Sequence, residues 1–222
     1  MTQTLAELQA QLRSEDMGAR MRVLNLARGL SDSERFTLAI EAVKDGNARI
    51  RYDAVSQLAN LGQVDPAASL EILLDRLLRD SENDVKAAAA DSIGALKLTT
   101  AFDDLLTAFR ASDDWMLQFS IIAALGELGD PRGFDVLQEC VNHPTDLVRI
   151  AAVGALGDLG DARALPVLLP LVNDEDWQIR HRVAQSLCRL GGEEAKAAIT
   201  TLLDDPIGQV ADAAKVFLTM IV

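Results

Sequence analysis

Residues 177–190, WQIRHRVAQSLCRL, set apolar side chains at Ile179, Val183, Leu187 and Leu190, three and four apart. That spacing predicts one apolar stripe on an amphipathic helix. The same rhythm runs through Val148, Ala152, Leu156 and Leu159, and such runs usually stop at Gly, a common helix C-cap. Shorter apolar segments lie before these helices, as in PRGFDVLQECV (131–141) and ALPVLLPLV (164–172). The pairs Asp65-Pro66 and Asp130-Pro131 supply an N-capping carboxylate and a proline for the first turn. The pattern therefore alternates a short helix A with a longer helix B.

The alternation is a repeat. Aligned on the basic residue early in helix B, the equivalent positions are Arg20, Arg51, Lys86, Gln118, Arg149, Arg180 and Ala211, spaced by 31, 35, 32, 31, 31 and 31 residues. Six residues before this anchor each copy is polar: Ser14, Asp45, Asp80, Ser112, His143, Asp174 and Asp205. Asn47, Asn83, Asp114, Asp146 and Asp176 are expected to cap helix B. One helix pair cannot bury its apolar face alone, so neighbours must stack. The expected fold is all-α, a right-handed α-solenoid of seven two-helix repeats with a convex and a concave side. As one domain over 1–222, its repeats fall at approximately 1–30, 31–63, 64–98, 99–129, 130–160, 161–191 and 192–222.

Composition narrows the partners. With 21 Lys and Arg against 34 Asp and Glu, the net charge is -13, so nucleic acid and anionic bilayers are repelled on average. No apolar run approaches a membrane span, Pro166 and Pro170 breaking the densest one. The start, MTQTLAELQAQLRSEDMGAR, lacks a leader pattern, and Cys140 and Cys188 are the two cysteines. The expectation is a cytoplasmic protein with free thiols. No Cys/His spacing matches a metal site, so none is expected.

Subtracting what the repeat requires leaves a few helix-B positions. Directly after the anchor stand Met21, Tyr52, Ala87, Phe119, Ile150, His181 and Asp212, and four residues earlier Met17, Ala48, Asn83, Trp115, Asp146, Trp177 and Gly208. Both Trp residues and the one Tyr of the chain occupy these two positions. Residues four apart share a helical face, pairing Trp115 with Phe119 and Trp177 with His181. Further along that face are Gly94, Gly126, Gly157 and Cys188. The glycines are expected to leave the floor of a groove open beside the aromatics. The expected binding residues on the concave face are Tyr52, Trp115, Phe119, Ile150, Trp177, His181, Arg182 and Cys188, although a Trp there can also cover a turn and a Gly or Cys can serve close packing.

An Asp six residues before an Arg, as in Asp45/Arg51 and Asp174/Arg180, with Asp80/Lys86 and the weaker His143/Arg149, is similar to the signature of HEAT repeats. Stacked, these residues form a structural ladder across repeats. The phrases AALGELGDPR (123–132) and AVGALGDLGDAR (152–163) resemble the HEAT-like repeats of phycobilisome (bilin) lyases and the cyanobacterial phycobilisome-degradation proteins related to them. That resemblance implies binding to phycobiliprotein subunits, or to an open-chain tetrapyrrole of the phycocyanobilin type, during antenna degradation. It brings no catalytic residue to any position here, and no cofactor is required. Any chemistry would address the thioether between a cysteine and the bilin. His181 would give or take a proton, the aromatics would hold the rings, and Arg182 or Arg189 would pair with a propionate. The alternative is a non-catalytic adaptor gripping another protein on its concave face, the commonest use of such stacks.

Overall fold

A computed structural model describes residues 3–221. Residues 1, 2 and 222, at the outer ends of the first and last expected repeats, lie outside the described residues. The fold is an all-α solenoid of paired helices, and no strand occurs among the described residues. The packing groups the chain into two compact units, Met1–Ile121 and Ile122–Val222.

The first unit holds α1 (Leu5–Leu12), α2 (Met17–Leu26), α3 (Asp32–Ala42), α4 (Ala48–Leu61), α5 (Pro66–Arg79), α6 (Asn83–Ala95), α7 (Phe102–Arg110) and the start of α8 (Trp115–Leu128). In it α4 packs along α6, and α5 along both α6 and α7. The second unit holds the rest of α8, then α9 (Phe134–Cys140), α10 (Asp146–Leu159), α11 (Ala164–Leu168), α12 (Trp177–Leu190), α13 (Glu193–Thr201) and α14 (Gly208–Met220). Here α12 lies between α10 and α14. Odd-numbered helices are the expected helix A, even-numbered ones helix B. The stripe that defines helix B is core: Ile50, Ala54 and Leu58 of α4, and Ile179, Val183 and Leu187 of α12, are buried.

The turn into helix B is built the same way in every repeat. The residue six before the anchor accepts a hydrogen bond from the backbone N–H two positions on. Ser14 accepts from Asp16, Asp45 from Asn47, Asp80 from Glu82, and Ser112 from Asp114. In the second unit His143 Nδ1 accepts from Thr145, Asp174 from Asp176 and Asp205 from Ile207. Small polar side chains stabilise this turn by satisfying a backbone donor that the helix cannot reach.

Two expected caps are displaced. Asn47, Asp114 and Asp176 accept from first-turn N–H groups of their helices, but the N-cap of α6 is Glu82 and that of α10 is Thr145, neither with a side-chain cap bond. Asn83 and Asp146 are already the first helical residues. They stand three residues before the anchor, whereas the capping residues stand four before it, so their oxygens are one step too late.

Proline shortens one helix A. Pro170 has no N–H to give, and α11 stops at Leu168, with a 3₁₀ stretch over Leu169–Asn173.

Candidate functional site

Four anchor arginines, Arg20, Arg51, Arg149 and Arg180, each join their repeat to the next. Arg51 donates from Nε and Nη2 to both Asp80 oxygens, at 2.8 and 2.7 Å, and from Nη1 to the Asp45 carbonyl at 3.0 Å. Arg20 grips Asp45 through the same two nitrogens, Arg180 grips Asp205, and Arg149 Nη2 reaches Asp174 at 2.8 Å. Lys86 makes no ion pair among the described residues. The corresponding position of the next repeat is Ser112, which offers no carboxylate, and Gln118 satisfies the Ser112 carbonyl from its amide. Burial pushes the Asp80 carboxyl up, but Arg51, the Glu82 N–H and Arg76 outweigh it, and the carboxyl titrates below its ordinary value. Asp45 is held low in the same way by Arg20 and the Asn47 N–H against its burial. For Asp205 the Arg180 hydrogen bond dominates, and the direction is again down. The Arg20, Arg51, Arg149 and Arg180 guanidiniums are thus committed to the scaffold.

The residues expected to bind divide between the units. In the first, Trp115, Phe119 and Tyr52 present their rings on the helix-B face, 47%, 36% and 36% exposed. The Arg49 guanidinium lies 5.4 Å from the Tyr52 ring centroid and 3.6 Å from Asp53. Between the helix-B elements of this unit is a pocket of about 340 Å³. Tyr52 from α4, Ala87 and Asp91 from α6, and Met116 and Ser120 from α8 line it. Sequence reading passed over Arg49, Asp91, Met116 and Ser120. The legible signal was Ala87, the small member of a series whose neighbours are Tyr52 and Phe119.

In the second unit Trp177 is 37% exposed at the start of α12, and His181 one turn later meets Phe217 edge-on, with centroids 6.3 Å apart. Desolvation, with the Arg182 charge adding to it, lowers the His181 pKa, so the imidazole is neutral at pH 7. The Arg182 stem lies over Gly154, where a Cβ would sit 3.2 Å from its Cδ, and its guanidinium donates to Gln185 at 2.9 Å. Arg189 pairs with Asp158, and Ile150 is half-buried.

The glycines do not open a groove floor. A Cβ on Gly126 would stand 2.6 Å from Ala155 Cα, and one on Gly157 2.6 Å from Ser186 Cβ. Each glycine receives the next helix B at close range, and Ser186 Oγ completes that contact by donating to the Val153 carbonyl at 2.8 Å. Cys188 occupies the corresponding position one repeat on. Its Sγ lies 3.5 Å from the Phe217 carbonyl, and burial pushes the thiol up. It is a packing residue of α12 against α14. Cys140 is buried in α9, its thiol pushed up to about 11 by desolvation, with Glu139 adding to it. Both thiols are free. Among the described residues no three His, Cys, Asp or Glu side chains gather as a metal site, and no helix is long and apolar enough to cross a membrane.

Stacked two-helix repeats with a buried helix-B stripe and an aspartate-arginine ladder define an α-solenoid scaffold. The chain belongs to the HEAT-repeat family, whose model matches residues 70–153 and 141–217. Among solved structures it is similar to the complex of CpcE and CpcF of phycocyanin lyase from Nostoc sp. PCC7120. That match has 19% identity and a TM-score of 0.65, over 100% of this chain and 96% of that one. It is also similar to Kap95p in a complex with RanGDP, at 14% identity and TM-score 0.64, over 97% of this chain and 35% of that one. An engineered protein matches at 16% identity and TM-score 0.61, over 95% and 66%. At these identities the likeness is one of fold. No curated protein matches the sequence.

Proposed function

We propose that the protein is a bilin-lyase-like HEAT-repeat binding protein, which engages phycobiliprotein subunits or their open-chain tetrapyrrole on its helix-B faces during antenna degradation. The observation that carries the reading is the half-exposed rings on helix B of each unit, Trp115 and Phe119 in the first and Trp177 in the second. The buried stripe packs without them, and flat π-faces suit a conjugated chromophore or the apolar surface of a subunit. The full-length likeness to a phycocyanin lyase structure supports the choice of partner. Arg182 supplies a cation for a propionate. Neutral His181 accepts or donates one hydrogen bond, and at pH 7 it serves better as a proton acceptor than as an acid.

The test is a titration with phycocyanobilin and, separately, with a chromophore-bearing phycocyanin subunit, read by visible absorption and by complex formation. A saturable spectral change or a stable complex is expected. No change and no complex at tens of micromolar would sink the proposal.

A second reading, an adaptor without chemistry, draws on the state of the nucleophiles. Cys188 faces a backbone carbonyl and both thiols are shifted up, away from the reactive thiolate. Equal binding of the subunit with and without its bilin would favour this reading.

A further inference from the structure

The pocket on the helix-B face of the first unit has a composition that the bilin reading does not use. Buried Ala87 and Ala88 line it with Tyr52 and Met116, and the exposed Asp91 carboxylate lies on the same lining. Exposed Glu82 and Asp84 also line it. Among the described residues none of these three carboxylates makes an ion pair. Arg49 is the one cation on the lining, and it is already held by Asp53 and the Tyr52 ring.

We infer that this pocket is a socket for a lysine or arginine side chain of a bound protein. The pocket's shape follows from the sequence series after the anchor. Tyr52 and Ala87 are equivalent positions, and the small residue of α6 leaves a gap that Tyr52 of α4 and Met116 of α8 flank. A volume of about 340 Å³ lies at the small end of ligand pockets, roughly 300–1,000 Å³, and suits one long side chain. The methylene stem of a basic residue would cover the alanines beside Met116, with its charge carried to Asp91 and past the face of the Tyr52 ring. An apolar occupant would leave the three carboxylates unanswered, and an anionic one would be repelled by them. The net charge of -13 favours the same sign of partner.

Asp91 is prepared for such a cation. Its crowded surroundings push the carboxyl up in the free protein, and the Ser120 hydroxyl compensates that in part. An incoming ammonium or guanidinium would oppose that upward shift. The inference stands whether or not the partner is a phycobiliprotein.

The full chain, ¹⁵N-labelled and at physiological salt, is titrated with N-acetyl-lysine methylamide and, as the neutral isostere, N-acetyl-norleucine methylamide. Saturable amide shifts centred on Tyr52, Ala87, Asp91, Met116 and Ser120 are expected with the lysine probe and absent with the norleucine probe. Asp91→Asn should weaken the lysine probe about tenfold, whereas Glu175→Gln, which removes an equal charge in the second unit, should leave it unchanged. Ala87→Leu fills the gap and should abolish the response while helical circular dichroism is retained. Equal responses to the two probes, equal losses in Asp91→Asn and Glu175→Gln, or no saturable shift with the lysine probe would each overturn the inference.

Discussion

Arg51 and Asp80 show how one residue pair is committed to the scaffold. Their side chains are 10% and 0% exposed, and the guanidinium also donates to two carbonyls of its own turn, Asp45 and Gly46. Asp80→Ala would leave that charge buried without its partner, and a loss of about 3 kcal/mol is expected in chemical denaturation. Trp177 is the opposite case. Half-exposed and outside the buried stripe, it should tolerate Trp177→Ala with a stability change within about 0.5 kcal/mol, the range of ordinary surface changes. A larger drop in melting temperature would show that the ring is core. Both outcomes follow from position in the repeat. The ladder was readable because Asp and Arg recur six apart. Asp91 was not, because its importance comes from Met116 and Ser120 on another helix, which no spacing along α6 reveals.

At the scale of the element, the phrase ALGxLGD, present at residues 124–130 and 155–161, resolves into three structural tasks. Its first glycine, Gly126 or Gly157, admits the next helix B. Its second, Gly129 or Gly160, takes a left-handed φ of 68° that ends the helix. Its aspartate accepts from the N–H two residues on, Asp130 from Arg132 and Asp161 from Arg163. The motif therefore specifies how repeats join, and its presence says little about chemistry. The expectation of an open floor at Gly126 and Gly157 failed because a gap in side-chain volume can be filled from the neighbouring repeat. Gly157→Ala should destabilise by about 1–2 kcal/mol in denaturant titration, since overpacking against Ser186 outweighs the gain in helix propensity. At the turn equivalent to Gly129 and Gly160, Lys97 holds a φ of 53°, a strained choice for a residue with a Cβ. Lys97→Gly should stabilise by about 1 kcal/mol, and an unchanged or lower denaturation midpoint would contradict that.

For the molecule as a whole, the repeat chemistry and the charge set the response to pH. Asp45, Asp80 and Asp205 all titrate below the ordinary aspartate value of 3.8 in the folded state. A carboxyl depressed on folding contributes stability that is complete above its unfolded pKa. That contribution is lost as pH falls through the folded value. Melting temperature should therefore hold on moving from pH 7 to about pH 5 and fall steeply below about pH 4. Asp80→Asn should flatten that acid limb. His181, neutral at pH 7 and lowered on folding by desolvation and Arg182, must be charged at lower pH and adds to the same acid loss. The repeat architecture could be read from the sequence because seven copies state it seven times. A binding face is stated once, by departures from the copies, and which departures form a pocket is decided by helices that the chain brings together.

The central claim is that the ladder and glycines make the scaffold, while the half-exposed helix-B aromatics of each unit are free of it and are the proposed binding residues. The most direct test is the affinity of a chromophore-bearing phycocyanin subunit for the intact protein and for Trp177→Ala, measured beside their melting temperatures. The account predicts at least about tenfold weaker binding by the variant, about 1.4 kcal/mol, at an unchanged melting temperature. Unchanged affinity, or weaker binding that tracks a fall in melting temperature, would contradict it.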